Sequence, residues 1–322
     1  MREHGKPPKV VVVGSLNMDL VVRVPRRPLP GETITGNSFG TFLGGKGYNQ
    51  ALGAARAGSR VSMVGKVGQD MYGDQFIEAL KENGLEHHHV TRAAAGTGIA
   101  NIVVEPDGTN SIVIIPGANG ELRAADIEAA EGVFKEAKVL LLQLETPLES
   151  VIAAARLARM HGIKVLLTPA PVPSEPLPME LLTLVDILIP NEIEVFQLAG
   201  MEPKTGKDED LPEAEAAQKL LEQGPQAVLV TLGGRGAAYF SYEGGQEVFQ
   251  FSPGFEVEVV DTTAAGDAFT GALATALGQD LPVEEAIRHA NAGGALACTK
   301  PGSGESLPSD TEIKAFLASN LW

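Results

Sequence analysis

Short, nearly continuous apolar runs alternate with helix-period segments along most of this chain. Val10-Val11-Val12-Val13 has no polar face, so a strand made from it must be covered on both sides. Lys9 to Gly14, Arg60 to Val67, Lys138 to Leu144, Lys164 to Thr168, Asp186 to Ile189 and Ala227 to Thr231 all read this way. Between them lie helical patterns over Asn49 to Ala57, Asp74 to Asn83, Leu148 to His161, Glu192 to Ala199 and Glu213 to Gln223. The alternation predicts an α/β fold: a doubly wound, mainly parallel sheet with helices on both faces. At 322 residues and 44% hydrophobic content, the chain suits a single domain, 1–322, built on one such sheet. Ligands of these sheets bind beyond the C-terminal ends of the strands.

Two regions break the alternation. Asp19 to Val24 with Glu32 to Gly36 reads as a pair of short strands. Gly98 to Glu105 and Ser111 to Ile115, joined through Asp107-Gly108, read as a hairpin. Together they predict a small antiparallel sheet, spanning about 17–43 and 96–119, placed as a lid over the strand ends.

Composition removes several function classes. Lys and Arg total 25 against 41 Asp and Glu, for a net charge of −16, which argues against nucleic acid as a partner. No apolar run approaches the length of about 18 residues that a membrane-spanning helix needs. The N-terminal segment is short and polar, so a cytoplasmic protein is expected. One cysteine, Cys298, excludes an internal disulfide framework; in its Ala/Gly-rich surroundings it reads as a small core residue. His87-His88-His89 lacks the spacing and acidic partners of a metal site and reads as a solvated loop.

Gly40-Thr41-Phe42-Leu43-Gly44-Gly45-Lys46-Gly47 nearly spells a P-loop, but Gly47 stands where a hydroxyl must ligate Mg²⁺. No G-x-G-x-x-G follows a strand and opens a helix either. The strongest chemical signal lies later, in Val260-Asp261-Thr262-Thr263-Ala264-Ala265-Gly266-Asp267. An apolar strand, Glu256 to Val260, leads through small residues into a helix. Free backbone N–H groups at that N-terminus can hold an anion, and Asp267 beside them could take a proton from a hydroxyl. An anion cradle joined to a base suits phosphoryl transfer to an alcohol; an ordinary helix cap is the alternative.

Other candidates are weaker alone. Lys46 offers charge to a phosphate and Asn49 a hydrogen bond to hydroxyls; an ordinary glycine turn is the alternative. Asn17 and Asp19, two apart after the first strand, would face one side and suit vicinal hydroxyls, and Glu145 could join that rim. Asn191 and Glu194 could hold hydrated Mg²⁺ or simply cap a helix. Thr231-Leu232-Gly233-Gly234-Arg235-Gly236 could cradle nucleotide phosphates.

Taken together, the motifs resemble the PfkB carbohydrate kinases nearly end to end. The pieces that carry the likeness are Gly14-Ser15-Leu16-Asn17-Met18-Asp19, Pro30-Gly31-Glu32-Thr33, Gly44-Gly45-Lys46-Gly47, Gly117-Ala118-Asn119 and Gln143-Leu144-Glu145-Thr146-Pro147. Pro190-Asn191-Glu192, Thr231-Leu232-Gly233 and Ala264-Ala265-Gly266-Asp267 complete it. The resemblance implies an ATP-dependent kinase of the 5-hydroxyl of D-ribose, with 2-deoxyribose, another pentose or a nucleoside as alternative acceptors; a non-catalytic sugar sensor on the same fold is the remoter alternative. It implies Asp267 as catalytic base and Ala264, Ala265 and Gly266 as the anion hole. Asn17, Asp19, Gly45, Lys46, Asn49 and Glu145 would surround the sugar. Asn191, Thr231, Leu232, Gly233, Gly234, Arg235, Gly236, Gly266 and Asn291 would lie along ATP. Glu194 would organise Mg²⁺ through water, and an activating K⁺ would sit by Asp261, Thr263, Ala297, Lys300, Gly302 and Ser306. Pairing of the lids into a homodimer is expected as well. Tyr48 stands where the family usually has Ala, Thr168 where it has Asn, and Ala265 where it commonly has Gly; bulky Tyr48 would either reshape the sugar pocket or pack under the lid.

Overall fold

The computed structural model describes residues 7–203 and 211–320. The strands are β1 (Lys9–Val13), β2 (Asn17–Arg23), β3 (Ser38–Gly44), β4 (Arg60–Val67), β5 (Glu86–Arg92), β6 (Gly98–Val104) and β7 (Asn110–Ile115), then β8 (Val139–Leu142), β9 (Lys164–Leu167), β10 (Ile187–Leu188), β11 (Ala227–Thr231), β12 (Gly236–Glu243) and β13 (Gln246–Pro253). Among the described residues one sheet has nine strands in the order β13-β12-β11-β10-β9-β8-β1-β4-β5, parallel from β11 to β5. The hairpin β12–β13 adds an antiparallel edge that the apolar runs did not announce.

The run of four valines explains itself once covered. Val10 and Val12 face one core with Leu141, Leu166 and Leu229; Val11 and Val13 face another with Leu140, Leu142, Val165 and Val230. Adjacent residues of a strand point to opposite faces, so helices on both sides bury every position of β1. Helix Ala265–Gly278 packs on the first core and helix Leu148–Met160 on the second.

Chain order reverses between β1 and β8: β4 and β5 continue on one side of β1, β8 to β11 on the other. The crevice at that reversal is where a doubly wound sheet receives ligands. Ser15 and Asn17 follow β1 into it, and Gln143 and Glu145 follow β8.

The smaller sheet has the order β3-β2-β6-β7. It is antiparallel at both edges and parallel at its centre, where β2 meets β6. The partner of β2 is not Glu32 to Gly36 but β3, whose Gly44 pairs with Asn17 and Ser38 with Arg23. Glu32 instead binds Arg26 and accepts the Leu29 N–H at 2.9 Å, folding the connection on itself. Ser303 Oγ donates to Leu43 O at 3.2 Å, tying this sheet to the C-terminal loop.

Two further expectations change. His87-His88-His89 lies in β5, an edge strand parallel to β4, rather than in a loop. Its alternation leaves His87 and His89 half-buried and His88 exposed. Glu256 to Val260 is no strand: the sheet edge is already occupied by β13, and the Val260 N–H donates to Cys298 O at 2.8 Å instead. Cys298 itself is half-buried at the end of helix Val283–Ala297. Among the described residues no helix is long and apolar enough to cross a membrane.

Candidate active site

Two helix N-termini meet beyond the strand ends. Helix Lys46–Arg56 begins after β3, and Gly47 lies so close to β1 that an added Cβ would collide with Ser15 N. That approach, which lets Tyr48 N donate to Ser15 O at 2.9 Å, explains the glycine where a P-loop needs a hydroxyl. Helix Ala265–Gly278 begins behind Ala264, whose φ of 59° puts a non-glycine residue in the left-handed region. Such a conformation costs about 1–2 kcal/mol and persists only where its surroundings enforce it. The Ala265 N–H turns back onto Thr262 O at 3.2 Å, and the Ala268 N–H makes the first helical bond to Ala264 O at 2.8 Å. Between them stand Gly266 and Asp267, whose N–H groups belong to the turn that a helix leaves without internal acceptors. Of the expected anion hole Ala264, Ala265 and Gly266, the Ala265 N–H is thus engaged within the turn, while the N–H groups of Gly266 and Asp267 are the ones an anion could meet.

Asp267 is 8% exposed. Its Oδ1 accepts from Gln50 Nε2 at 3.0 Å and its Oδ2 from Asn49 Nδ2 at 3.2 Å. Burial pushes its pKa above the ordinary carboxylate value, although the charge of Lys46 and the two amide donors act in the opposite direction. Raised basicity in a reachable carboxylate is what a general base needs.

The candidates assigned to the sugar lie close to one another, around Glu145 and Asp267. Glu145 Oε2 accepts from the Ser15 hydroxyl, from Lys46 N at 3.0 Å and from Asn17 Nδ2 at 3.3 Å. Asn17 Oδ1 in turn accepts from Asn119 Nδ2 at 2.8 Å, and Asn119 Oδ1 accepts Leu16 N at 2.9 Å, fixing the turn between β1 and β2. Asp19 lies against Gly44. Burial, with repulsion from Glu145 and Asp267, raises its pKa to about 7. Lys46 is half-buried; burial lowers its pKa, but Asp267, Glu145 and Glu194 outweigh that and hold it charged.

The nucleotide-side candidates are also brought together, with several side chains already engaged. Asn191 pairs with Thr231 across a β-bridge. Asn191 Oδ1 accepts the N–H groups of Ile193 and Glu194, both at 2.8 Å, while Glu194 Oε2 accepts Asn191 N at 2.9 Å. That reciprocal pair is a helix cap. Burial raises the Glu194 pKa, against the Asn191 bond and the charge of Lys46. Thr231–Gly236 turns through a short 3₁₀ segment, Gly233–Arg235, and exposes backbone there. The Arg235 guanidinium is paired with Glu213 at 2.6 Å and Glu192 at 3.1 Å, so its charge is spoken for. Asn291 Nδ2 binds Ser252 Oγ at 3.0 Å and the carbonyls of Ser252 and Pro253, next to the same turn.

Of the expected cation ligands, Asp261 links two loops: Oδ1 accepts from Thr263 N at 2.9 Å and Thr263 Oγ1 at 2.7 Å, and Oδ2 from Gly302 N at 3.0 Å. Ala297 and Ser306, on either side of Gly302, are fully buried, whereas the Lys300 side chain leaves for Glu312 at 2.7 Å. Tyr48 does not face the sugar side; it is 3% exposed in the first core, edge-on to Phe76 at 5.2 Å. Ser15, Gln50, Asn119 and Gln143 hold the candidates in place, and residue type alone did not single them out.

A model described as pfkB family carbohydrate kinase matches residues 7–310. The chain is 38% identical to the ribokinase of Haemophilus influenzae, over 96% of this chain and 98% of that protein. It is equally 38% identical to the deoxyribokinase of Salmonella typhimurium, over 97% and 99%. The structure of Arabidopsis thaliana ribokinase complexed with ribose and ATP superposes with a TM-score of 0.85 at 35% identity, covering 97% of this chain and 99% of that one. Likeness of this extent in both sequence and fold leaves one assignment: the chain belongs to the pfkB family of carbohydrate kinases.

Proposed function

We propose that this kinase transfers the γ-phosphoryl group of ATP to the 5-hydroxyl of D-ribose. The observation that carries the reading is the buried Asp267 carboxylate in the first turn behind left-handed Ala264, flanked by Asn49 and the charge of Lys46. Asn17, Asp19, Lys46, Asn49 and Glu145 bind the sugar. Asp267 accepts the 5-hydroxyl proton as the oxygen attacks phosphorus in line, and the N–H groups of Gly266 and Asp267 face the charge that develops on the transferring group. ATP lies along Asn191, Thr231–Gly236 and Asn291. The segments 17–43 and 96–119 act as a lid on one catalytic unit and exclude water.

Two ions fit the residues present. Glu194, one oxygen of which already serves the helix cap, would hold an ATP-bound Mg²⁺ through water, and the ion would offset phosphate charge there. A monovalent cation fits between the loops joined at Asp261. Burial works against that carboxylate's ionisation, but the donors of Thr263 and Gly302 prevail and hold its pKa below the usual range. Lid pairing into a homodimer is favoured by the exposed Phe39 and Phe42 on β3 and Ile112, Val113 and Ile115 on β7. A monomer mass in solution at micromolar protein would remove that part of the reading.

A second acceptor stands beside ribose. The Salmonella relative, called a deoxyribokinase, is as similar as the Haemophilus ribokinase, so overall identity does not choose between the two sugars. A coupled ADP-release assay with D-ribose, 2-deoxyribose, other pentoses and nucleosides decides. Asp267→Asn should lower turnover by about 10²–10⁴-fold with little change in sugar KM. A near-normal rate in that variant would overturn the assignment of the base.

A further inference from the structure

Gln50 is fully buried, and each end of its amide has a defined partner. Nε2 donates to Asp267 Oδ1 at 3.0 Å and to Thr168 Oγ1 at 3.3 Å, and Oε1 accepts from Gln143 Nε2 at 2.6 Å. The reverse orientation would set the amide oxygen against the Asp267 carboxylate and two amino groups against each other, so the network admits one orientation. Gln143 is fully buried too, and its own Oε1 has no partner. It sits in the space that a side chain at Gly14 would fill. Gly14 ends β1, Gln143 follows β8, Gln50 lies on helix Lys46–Arg56 and Asp267 on helix Ala265–Gly278. Each oxygen of Asp267 thus has one amide donor, but the donor to Oδ1 is itself anchored by Gln143 and Thr168, whereas the 3.2 Å donor to Oδ2, Asn49, has its own amide oxygen unpartnered.

We propose that Gln50, anchored by Gln143 and Thr168, is a positioning residue that holds Oδ1 of Asp267 and leaves Oδ2 as the oxygen that takes the substrate proton. The assignment rests on Asp267 being the base. The longer Asn49 bond to Oδ2 is the one exchanged when a hydroxyl arrives. Asn49 Oδ1 is buried without a partner, so the Asn49 side chain is free to turn to the sugar. An Asp carboxylate otherwise rotates broadly about its last torsion; pinning one oxygen aims the other.

The experiment compares Gln50→Leu, Gln50→Glu and Asp267→Asn by steady-state turnover of D-ribose and ATP across pH. Gln50→Leu should lower kcat by about 10- to 100-fold, the worth of a hydrogen bond to a charged group, with KM for ribose within about threefold. The acid limb of its kcat profile should move to higher pH, because a donor that favours the ionised base is gone. Gln50→Glu keeps the shape. It should work at acidic pH, where the two carboxyl groups share a proton, and fail as pH rises and they repel, giving an alkaline limb that the parent lacks. Should Gln50→Leu lose cooperative unfolding, Gln50→Glu carries the test by its profile alone. Parental kcat and acid limb in folded Gln50→Leu, or a parental profile in Gln50→Glu, would overturn the role of Gln50 while Asp267→Asn remains impaired. An unimpaired Asp267→Asn would instead remove the base assignment beneath it.

Discussion

The backbone N–H of Lys46 donates to Glu145 Oε2 at 3.0 Å, joining the first turn of one helix to the loop after β8, 99 positions away in sequence. The same oxygen accepts from Ser15 and Asn17, so a single carboxylate closes the turn between β1 and β2 onto the start of helix Lys46–Arg56. Glu145→Gln can still turn an oxygen to these donors but loses its charge. It should destabilise the fold by about 1–2 kcal/mol, read as a lower midpoint in urea at unchanged slope. It should also lower the pKa of Asp19, because Glu145 is one of the charges that raise it. An unchanged Asp19 titration would separate the two groups.

Asp19 gives a pH dependence with a defined sign. Its pKa rises from 3.8 to about 7 on folding, so the folded state binds the proton more tightly than the unfolded chain. Between pH 4 and 7 this group therefore makes stability fall as pH rises; below about pH 4 the cost vanishes and above 7 it is complete. Asp19→Asn should remove the effect. Its melting temperature relative to the parent should be higher at pH 8 than at pH 5, and a pH-independent difference would argue against the shift. Sugar affinity in the parent should change over the same window, since ionised Asp19 can accept hydrogen bonds from two hydroxyls through its two oxygens, whereas the protonated form gives one oxygen over to its own O–H donor.

Much of this was legible in the chain. Uniformly apolar runs such as Val10 to Val13 require cover on both faces, which is why six parallel strands of the main sheet are legible, whereas β5, with His87-His88-His89 on the sheet edge, carries no such run. The hairpin β12–β13 escaped because β12 buries mainly small residues, Ala237 and Ala238, and β13 leaves Phe249 and Phe251 exposed, so neither strand carries a continuous apolar run. Glu256 to Val260 misled for the converse reason: alternating Glu and Val look like a strand, but no sheet edge is left for them. Charged and amide residues of the site were visible as types. The network that aims them was not, because Gln50, Gln143 and Asn119 act through contacts 93 to 217 positions apart, which no local spacing encodes.

Tyr48 is the plainest case of a departure reassigned by packing. Its ring is buried against Phe76, with burial raising the hydroxyl pKa, on the face of helix Lys46–Arg56 that meets the core. Tyr48→Phe should leave the ratio of kcat/KM for ribose and 2-deoxyribose unchanged. Tyr48→Ala should cost about 3–5 kcal/mol of stability through the cavity it leaves, and unfold at a correspondingly lower temperature. A changed sugar ratio in Tyr48→Phe would return this residue to the pocket.

Asp261 tests the cation reading apart from the chemistry. Its carboxylate bridges Thr263 and Gly302, so the loop leading into the Gly266–Asp267 turn depends on it. A monovalent cation held there would order that loop and with it the N–H groups facing the transferring phosphoryl, while touching neither substrate. Replacing potassium by a bulky organic cation should then lower kcat of the parent with little change in sugar KM. Asp261→Ala should be slow with either cation and show no potassium response. Because the folded pKa of Asp261 lies below its ordinary value, its contribution to stability is present above about pH 4 and lost as pH falls further, so the variant should close on the parent in melting temperature only in acid. A parent indifferent to potassium would dismiss the cation, and a variant still stimulated by it would move the cation away from Asp261.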